Sequence, residues 1–210
     1  MQGRVTLKTR LFSTKRPWRS KHVCSDLITP DVAASYNNIG SVYHSQGKYE
    51  EALEYYQKSL DIKIRVVGGD HPDVADSFNN IGTVYEGKGE FENALVQHQK
   101  ALEIRTRVFG SDHPDVAASY NNIGITYKNQ GKYEEALELC SKSIDIRTRI
   151  YGGDNHPDVA VSYQNLAAVY QRQGNHVQTK EMATKAYHIF LKVLGPDHPY
   201  TQMSSKLSRI

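Results

Sequence analysis

Thr29-Pro30-Asp31-Val32-Ala33-Ala34-Ser35-Tyr36-Asn37-Asn38-Ile39-Gly40-Ser41-Val42-Tyr43 decides the fold, because the stretch recurs along the chain. Pro-Asp-Val-Ala follows Thr29, His71, His113 and His156, and a variant, Pro199-Tyr200-Thr201, follows His198. The spacings are 42, 42, 43 and 42 residues, and self-similarity at a fixed period of this size marks a repeat architecture. Four repeats therefore run 29–70, 71–112, 113–155 and 156–197, with a partial fifth at 198–210. The single inserted residue, Asn155, falls in the Gly152-Gly153-Asp154-Asn155 turn, where it disturbs the phase of neither flanking helix.

Inside the quoted stretch Tyr36, Ile39, Gly40 and Tyr43 stand at i, i+3, i+4 and i+7, one face of a helix. Pro72, Pro114 and Pro157 sit where a helix begins, with φ already fixed and no amide hydrogen to lose. Gly47 breaks the first helix. A second comes after it, with Ala52, Tyr56, Ser59, Leu60, Ile62, Val66 and Val67 on its apolar side, and ends at Gly68-Gly69, where the sequence predicts a left-handed glycine cap. Each repeat is a helix–turn–helix, and no strand is needed.

Small residues recur where two helices must approach closely: Gly40 and Ala52, Gly82 and Ala94, Gly124 and Ala136. Aromatic knobs recur beside them, as Tyr36, Phe78, Tyr120 and Tyr163, then Tyr43, Tyr85, Tyr127 and Tyr170. One hairpin cannot bury such faces alone, whereas a stack of hairpins can. The resulting aromatic–x–x–Ile–Gly–x–x–Tyr–x–x–x–Gly–x–aromatic–x–x–Ala pattern, in three full copies, resembles the tetratricopeptide repeat (TPR). The 42-residue period, with Gln-Gly-Lys-Tyr-Glu-Glu-Ala-Leu and Asp-His-Pro-Asp-Val-Ala, is similar to the kinesin-light-chain subfamily. The resemblance implies an all-α fold, a right-handed superhelical α-solenoid of about four repeats plus a C-terminal capping helix. The fourth repeat departs from the pattern, with Ala167 for glycine, His176 for the aromatic and Thr179 for alanine. In 198–210 only Met203, Leu207 and Ile210 keep an apolar face, which reads as a cap, with a truncated gene model as the competing explanation.

The same resemblance places the first helix of each repeat on the inner wall of a groove. With about 100° per residue, Asn38 lies opposite the Tyr36 face, beside Ala34, Ser41 and Ser45, so Asn38, Asn80, Asn122 and Asn165 form a row along that wall. A side-chain amide carries two donors and an acceptor and can pair with both polar groups of an extended peptide. Specificity would then come from variable neighbours: Ser41, Ser45, Asp76, Glu86, Lys128, Asn129, Gln171 and Arg172. The flanking Asn37, Asn79 and Asn121 read as facing solvent or as hydrogen-bonded to a neighbouring helix. TPR domains that grip acidic chaperone tails carry lysines one turn before the groove asparagine. Here those positions hold Ala34, Asp76, Ala118 and Val161, so that clamp is missing, and the wall turns basic only toward Lys128 and Arg172.

These features point to a non-enzymatic protein–protein interaction scaffold that holds a short linear peptide in its groove. A kinesin-light-chain-like cargo adaptor fragment is a more specific alternative, although residues 1–28 show no heptads for the coiled coil such an adaptor needs. An organellar RNA-binding repeat protein is a third. Seven of the 26 basic residues lie in 1–25, which holds no acid; the other 19 face 23 acids in 26–210, a balance of −4 that argues against a nucleic-acid footprint on the repeats.

No catalytic centre, cofactor site or metal site is expected. The three His-Pro-Asp triplets recur with the repeat, so they belong to the connections between hairpins. Equivalent histidines of successive repeats lie too far apart to share a zinc ion, whose ligands sit at about 2 Å. Cys140 reads as a small buried residue, and Cys24 and Cys140 as free thiols. No stretch approaches the roughly 18 apolar residues of a membrane span. The basic leader, 1–28, suits a disordered arm, a transit peptide or a mispredicted first exon, so the expected compartment is the cytoplasm, or a mitochondrion or plastid if 1–25 is a targeting signal.

Overall fold

The computed structural model describes residues 28–209; residues 1–27, with Cys24, and the final residue Ile210 lie outside them. Among the described residues there are nine helices and no strands. They are α1 Pro30–Ser45, α2 Tyr49–Val67, α3 Pro72–Lys88, α4 Phe91–Phe109, α5 Pro114–Gln130, α6 Tyr133–Tyr151, α7 Pro157–Gln173, α8 His176–Leu194 and α9 Pro199–Leu207. Each helix packs most extensively on its hairpin partner and next on its neighbour in sequence, the pattern of an all-α solenoid.

Every first helix opens on a proline with a cap before it. Thr29 Oγ1 accepts the Val32 amide at 3.3 Å. In the later repeats a histidine replaces the threonine: Nδ1 of His71, His113 and His156 accepts the amide two residues on, at 3.2, 3.2 and 3.1 Å. His198 does the same for α9 at 3.3 Å. The ring nitrogen takes the place of the usual N-cap oxygen, which explains the recurrence of His-Pro-Asp. Among the described residues no three His, Cys, Asp or Glu side chains cluster as a metal site would need.

The first helices end in a Schellman turn. The Lys48, Glu90, Lys132 and Asn175 amides return to the Tyr43, Tyr85, Tyr127 and Tyr170 carbonyls at 2.9–3.0 Å. The second helices end differently from the sequence expectation. Gly68, Gly110 and Gly195 have φ of 81–87° but ψ of 161–172°, an extended region open only to glycine, not the left-handed cap. Gly152 alone is left-handed, at φ 68° and ψ 29°, in the turn lengthened by Asn155.

The glycine crossings are real, but the facing partner lies one turn beyond the alanine named from sequence. A Cβ on Gly40 would lie 2.9 Å from the Tyr56 ring, and one on Gly82 would lie 2.7 Å from the His98 ring. At Gly124 it would meet Cys140 Sγ at 3.0 Å and the Ala136 carbonyl at 3.3 Å. Repeat four carries alanine at both equivalent positions, Ala167 and Ala183, each fully buried. Glycine therefore accompanies a larger partner, and alanine accompanies alanine.

Repeats are tied together by basic residues near the end of each second helix. Lys63 Nζ reaches Ser77 Oγ at 2.9 Å and the Asp73 carbonyl at 3.1 Å. Arg105 donates to Ser119 Oγ, the Asp115 carbonyl and Asp76, and Arg147 to Ser162 Oγ and the Asp158 carbonyl. A second row of ion pairs joins the turns, Arg107 to Asp70 and Arg149 to Asp112.

Candidate peptide-binding groove

The wall formed by α1, α3, α5 and α7 carries the asparagine row. Asn38 is exposed, and Asn80, Asn122 and Asn165 are half-buried. Asn80 Nδ2 donates to Asn37 Oδ1 at 2.9 Å, and Asn122 Nδ2 to Asn79 Oδ1 at 2.6 Å. Each of these amides thus uses one donor to bond back to the preceding repeat and keeps a second donor and its carbonyl oxygen. The ladder stops at the fourth repeat. Asn121 is buried and turns its amide to Ser162 Oγ at 3.0 Å. Asn165 consequently has no side-chain hydrogen bond among the described residues.

Asn165 lies instead at the edge of a cleft of about 490 Å³ between α7 and α9. Val161, Gln164, Ala168 and Gln171 form one side and Tyr200, Met203, Lys206 and Leu207 the other. The lining is mainly apolar, and Tyr200 and Met203 are roughly half exposed, at 45% and 51%. The sequence pattern marks α9 as a cap and does not foretell this cleft. The apolar pair Met203 and Leu207 is its visible signal.

A second recess of about 470 Å³ brings together Lys128 and Arg172 with Glu86, Phe91, Asn129, Gln130 and Tyr133. Burial, and then the Arg172 charge, pushes the Lys128 ammonium below its ordinary range. Burial pushes the Glu86 carboxyl up, against the opposing pull of the Thr126 hydroxyl and Lys128. Neither Lys128 nor Arg172 forms an ion pair within 4.0 Å among the described residues. The half-buried Lys128 and the exposed Arg172, side by side, offer a place for an anionic group. Arg172 lies seven residues after Asn165, on the same face of α7 and roughly 10 Å along its axis.

Ser41 and Ser45 lie at the far, N-terminal end of the wall, and Ser45 Oγ is bonded to its own helix at the Val42 carbonyl, 2.8 Å away. Asn38 edges a separate recess with Pro30, Ala34, Ile62 and Val66. The groove residues expected from sequence therefore share a wall but not a pocket. Asp76, at one of the missing clamp positions, is held by Arg105 at 2.6 Å. Cys140 is buried, which pushes its thiol up to about 12 and keeps it protonated and unreactive. No helix among the described residues is long and apolar enough to cross a membrane.

The tetratricopeptide repeat family model matches residues 31–105, 77–146 and 117–192. The chain belongs to the TPR family. Comparison with curated proteins finds no match. Among solved structures it is similar to BtubC (BKLC) from P. vanneervenii, at 26% identity and a TM-score of 0.68 over 81% of this chain and 68% of that one. It is also similar to the nearly identical TPR-like repeats of a Podosopora anserina protein assigned as a kinesin light chain. There the identity is 23% and the TM-score 0.69, over 86% of this chain and 85% of that one. A single-substitution variant of those repeats aligns equally well, at 23% identity and a TM-score of 0.69 over 85% and 84% of the two chains. The neighbours are TPR proteins of the kinesin-light-chain-like type. TPR arrays typically serve as non-enzymatic scaffolds for protein partners, and the repeats here support an interaction scaffold.

Proposed function

We propose that this TPR array captures an extended peptide segment along the α1–α3–α5–α7 wall, with its principal contacts at the C-terminal half. The apolar α7–α9 cleft takes an aromatic or aliphatic side chain, and Lys128 with Arg172 takes a carboxylate. Asn165, Asn122 and Asn80 offer their remaining amide hydrogens and oxygens to the peptide backbone between and beyond these anchors. The observation that carries this reading is the adjacency, along α7 and the C-terminal end of α5, of an apolar cleft, an amide without a side-chain partner and two cations without ion pairs.

The test is fluorescence anisotropy of the whole chain with labelled peptides carrying a leucine or tryptophan and a glutamate at varied separation. Binding should require both residues and should fall with added salt. Equal affinity for peptides in which lysine replaces glutamate would overturn the proposal. The likeness to kinesin-light-chain-type repeats favours, as a more specific form of the same reading, a cargo-adaptor role in which the peptide belongs to a transported partner. Co-purification of a motor chain with the full protein would support that form.

A further inference from the structure

One face of α1 lacks the cover that its equivalents have. Ile39 is 39% exposed, whereas Ile81, Ile123 and Leu166 at the same repeat position are 4–6% exposed. Val42 is 55% exposed, and its equivalents Val84, Thr126 and Val169 are fully buried. Ser35 is exposed while Ser77, Ser119 and Ser162 are buried, and Val32 is half-buried while Val74, Val116 and Val159 are fully buried. In the later repeats this face lies against the second helix of the preceding hairpin, through the Lys63, Arg105 and Arg147 contacts. No such helix precedes α1 among the described residues.

The chain ahead of α1 carries the sequence of one. Val5-Thr6-Leu7-Lys8-Thr9-Arg10-Leu11-Phe12 matches Leu102-Glu103-Ile104-Arg105-Thr106-Arg107-Val108-Phe109, with Thr, Arg and Phe identical. The apolar or basic class is kept at Val5, Leu7, Lys8 and Leu11. Ile144-Asp145-Ile146-Arg147-Thr148-Arg149-Ile150-Tyr151 has the same order. In both of those copies the residues matching Val5, Leu7 and Lys8 are buried: Leu102, Ile104 and Arg105, then Ile144, Ile146 and Arg147.

We propose that residues 5–12 dock on α1, on the Val32, Ser35 and Ile39 face whose equivalents the second helix of the preceding hairpin covers in each later repeat. The connection, residues 13–29, is longer than the four-residue turn 110–113. Loop closure costs rise only slowly with length, and 17 extended residues reach about 55 Å, more than twice the roughly 24 Å length of α1. This proposal is independent of the peptide groove, which lies on another face of α1.

Hydrogen exchange on the full chain, read by mass spectrometry, tests it. Amides of 7–12 should exchange at least tenfold more slowly than an unstructured peptide. Leu7→Asp should abolish that protection and speed exchange across residues 33–40 of α1. Thr6→Asp should change nothing, because the matching positions already hold Asp61, Glu103 and Asp145 on the solvent side. Unprotected 7–12 amides in the parent chain would overturn the proposal, as would equal effects of the two substitutions. Protection that grows with protein concentration would assign the face to a second copy of the chain and overturn it equally.

Discussion

The Asn122 side-chain amide donates to Asn79 Oδ1 at 2.6 Å, one repeat back along the wall, and Asn80 repeats the contact to Asn37 Oδ1 at 2.9 Å. The row assigned to ligand capture also stitches the array together. Its members consequently differ in what their loss should do.

Replacing Asn80 and Asn122 together by alanine removes one inter-repeat hydrogen bond each, so stability should fall by about 0.5–1.5 kcal/mol per site, and peptide affinity should fall too. Asn38→Ala and Asn165→Ala break no bond between repeats. They should leave the calorimetric Tm unchanged, with Asn165→Ala alone weakening the peptide measurably. Loss of Tm without loss of affinity in the first pair would make those two asparagines purely structural.

Lys128→Glu or Arg172→Glu reverses the charge in the recess where both cations lie without ion pairs. Charge-assisted hydrogen bonds contribute roughly 1.5–3 kcal/mol, so either substitution should lower affinity for an acidic peptide at least tenfold and flatten its salt dependence. Anisotropy titrations at low and high salt measure both effects. An unchanged salt dependence would remove these residues from the site.

Gly124→Leu drives a branched side chain into Cys140 Sγ and the Ala136 carbonyl, and should cost at least about 1–3 kcal/mol. The Ala167–Ala183 pair of the fourth repeat shows a second solution to the same crossing. Gly124→Ala should therefore be milder in a Cys140→Ala background than in the parent protein. A double-mutant cycle by chemical denaturation reads this coupling directly.

His98 is buried against Gly82 with neither ring nitrogen hydrogen-bonded, and burial, followed by the nearby Arg105 charge, pushes its pKa down to about 4. Its ordinary value is near 6.5, so the unfolded chain takes up the proton first. Stability from this group is present above about pH 6.5 and is lost as the pH falls toward 4. His98→Tyr copies the Gly40–Tyr56 crossing of the first repeat and should remove that part of the acid sensitivity. Urea unfolding midpoints between pH 7 and pH 4 provide the measurement. An identical slope in both proteins would refute the assignment.

Several of these features are legible without coordinates. The period, the proline starts, the Gly47-type breaks and the small residues at crossings all arise from local chemistry, as steric rules that act within a few residues. The histidine caps are half visible: His-Pro-Asp stands out, but histidine is not a usual N-cap, so only the coordinates reveal why it recurs. The left-handed cap expected at Gly68 fails because the path of the chain beyond a helix depends on where the next helix must begin.

The residues alone determined that hairpins of this length would form and stack, since each leaves apolar faces it cannot bury by itself. They also marked out which side of the first helices would face away from the hairpin core. Only the tertiary structure decided how Asn80 and Asn122 divide their amides between neighbour and solvent. It likewise decided that Asn165 is left over, and that α7 and α9 stand far enough apart to open an apolar cleft. Periodicity reports the angle at which a side chain leaves its helix. The width of the gap it enters is set by the summed volumes of residues on other helices, far away in the chain.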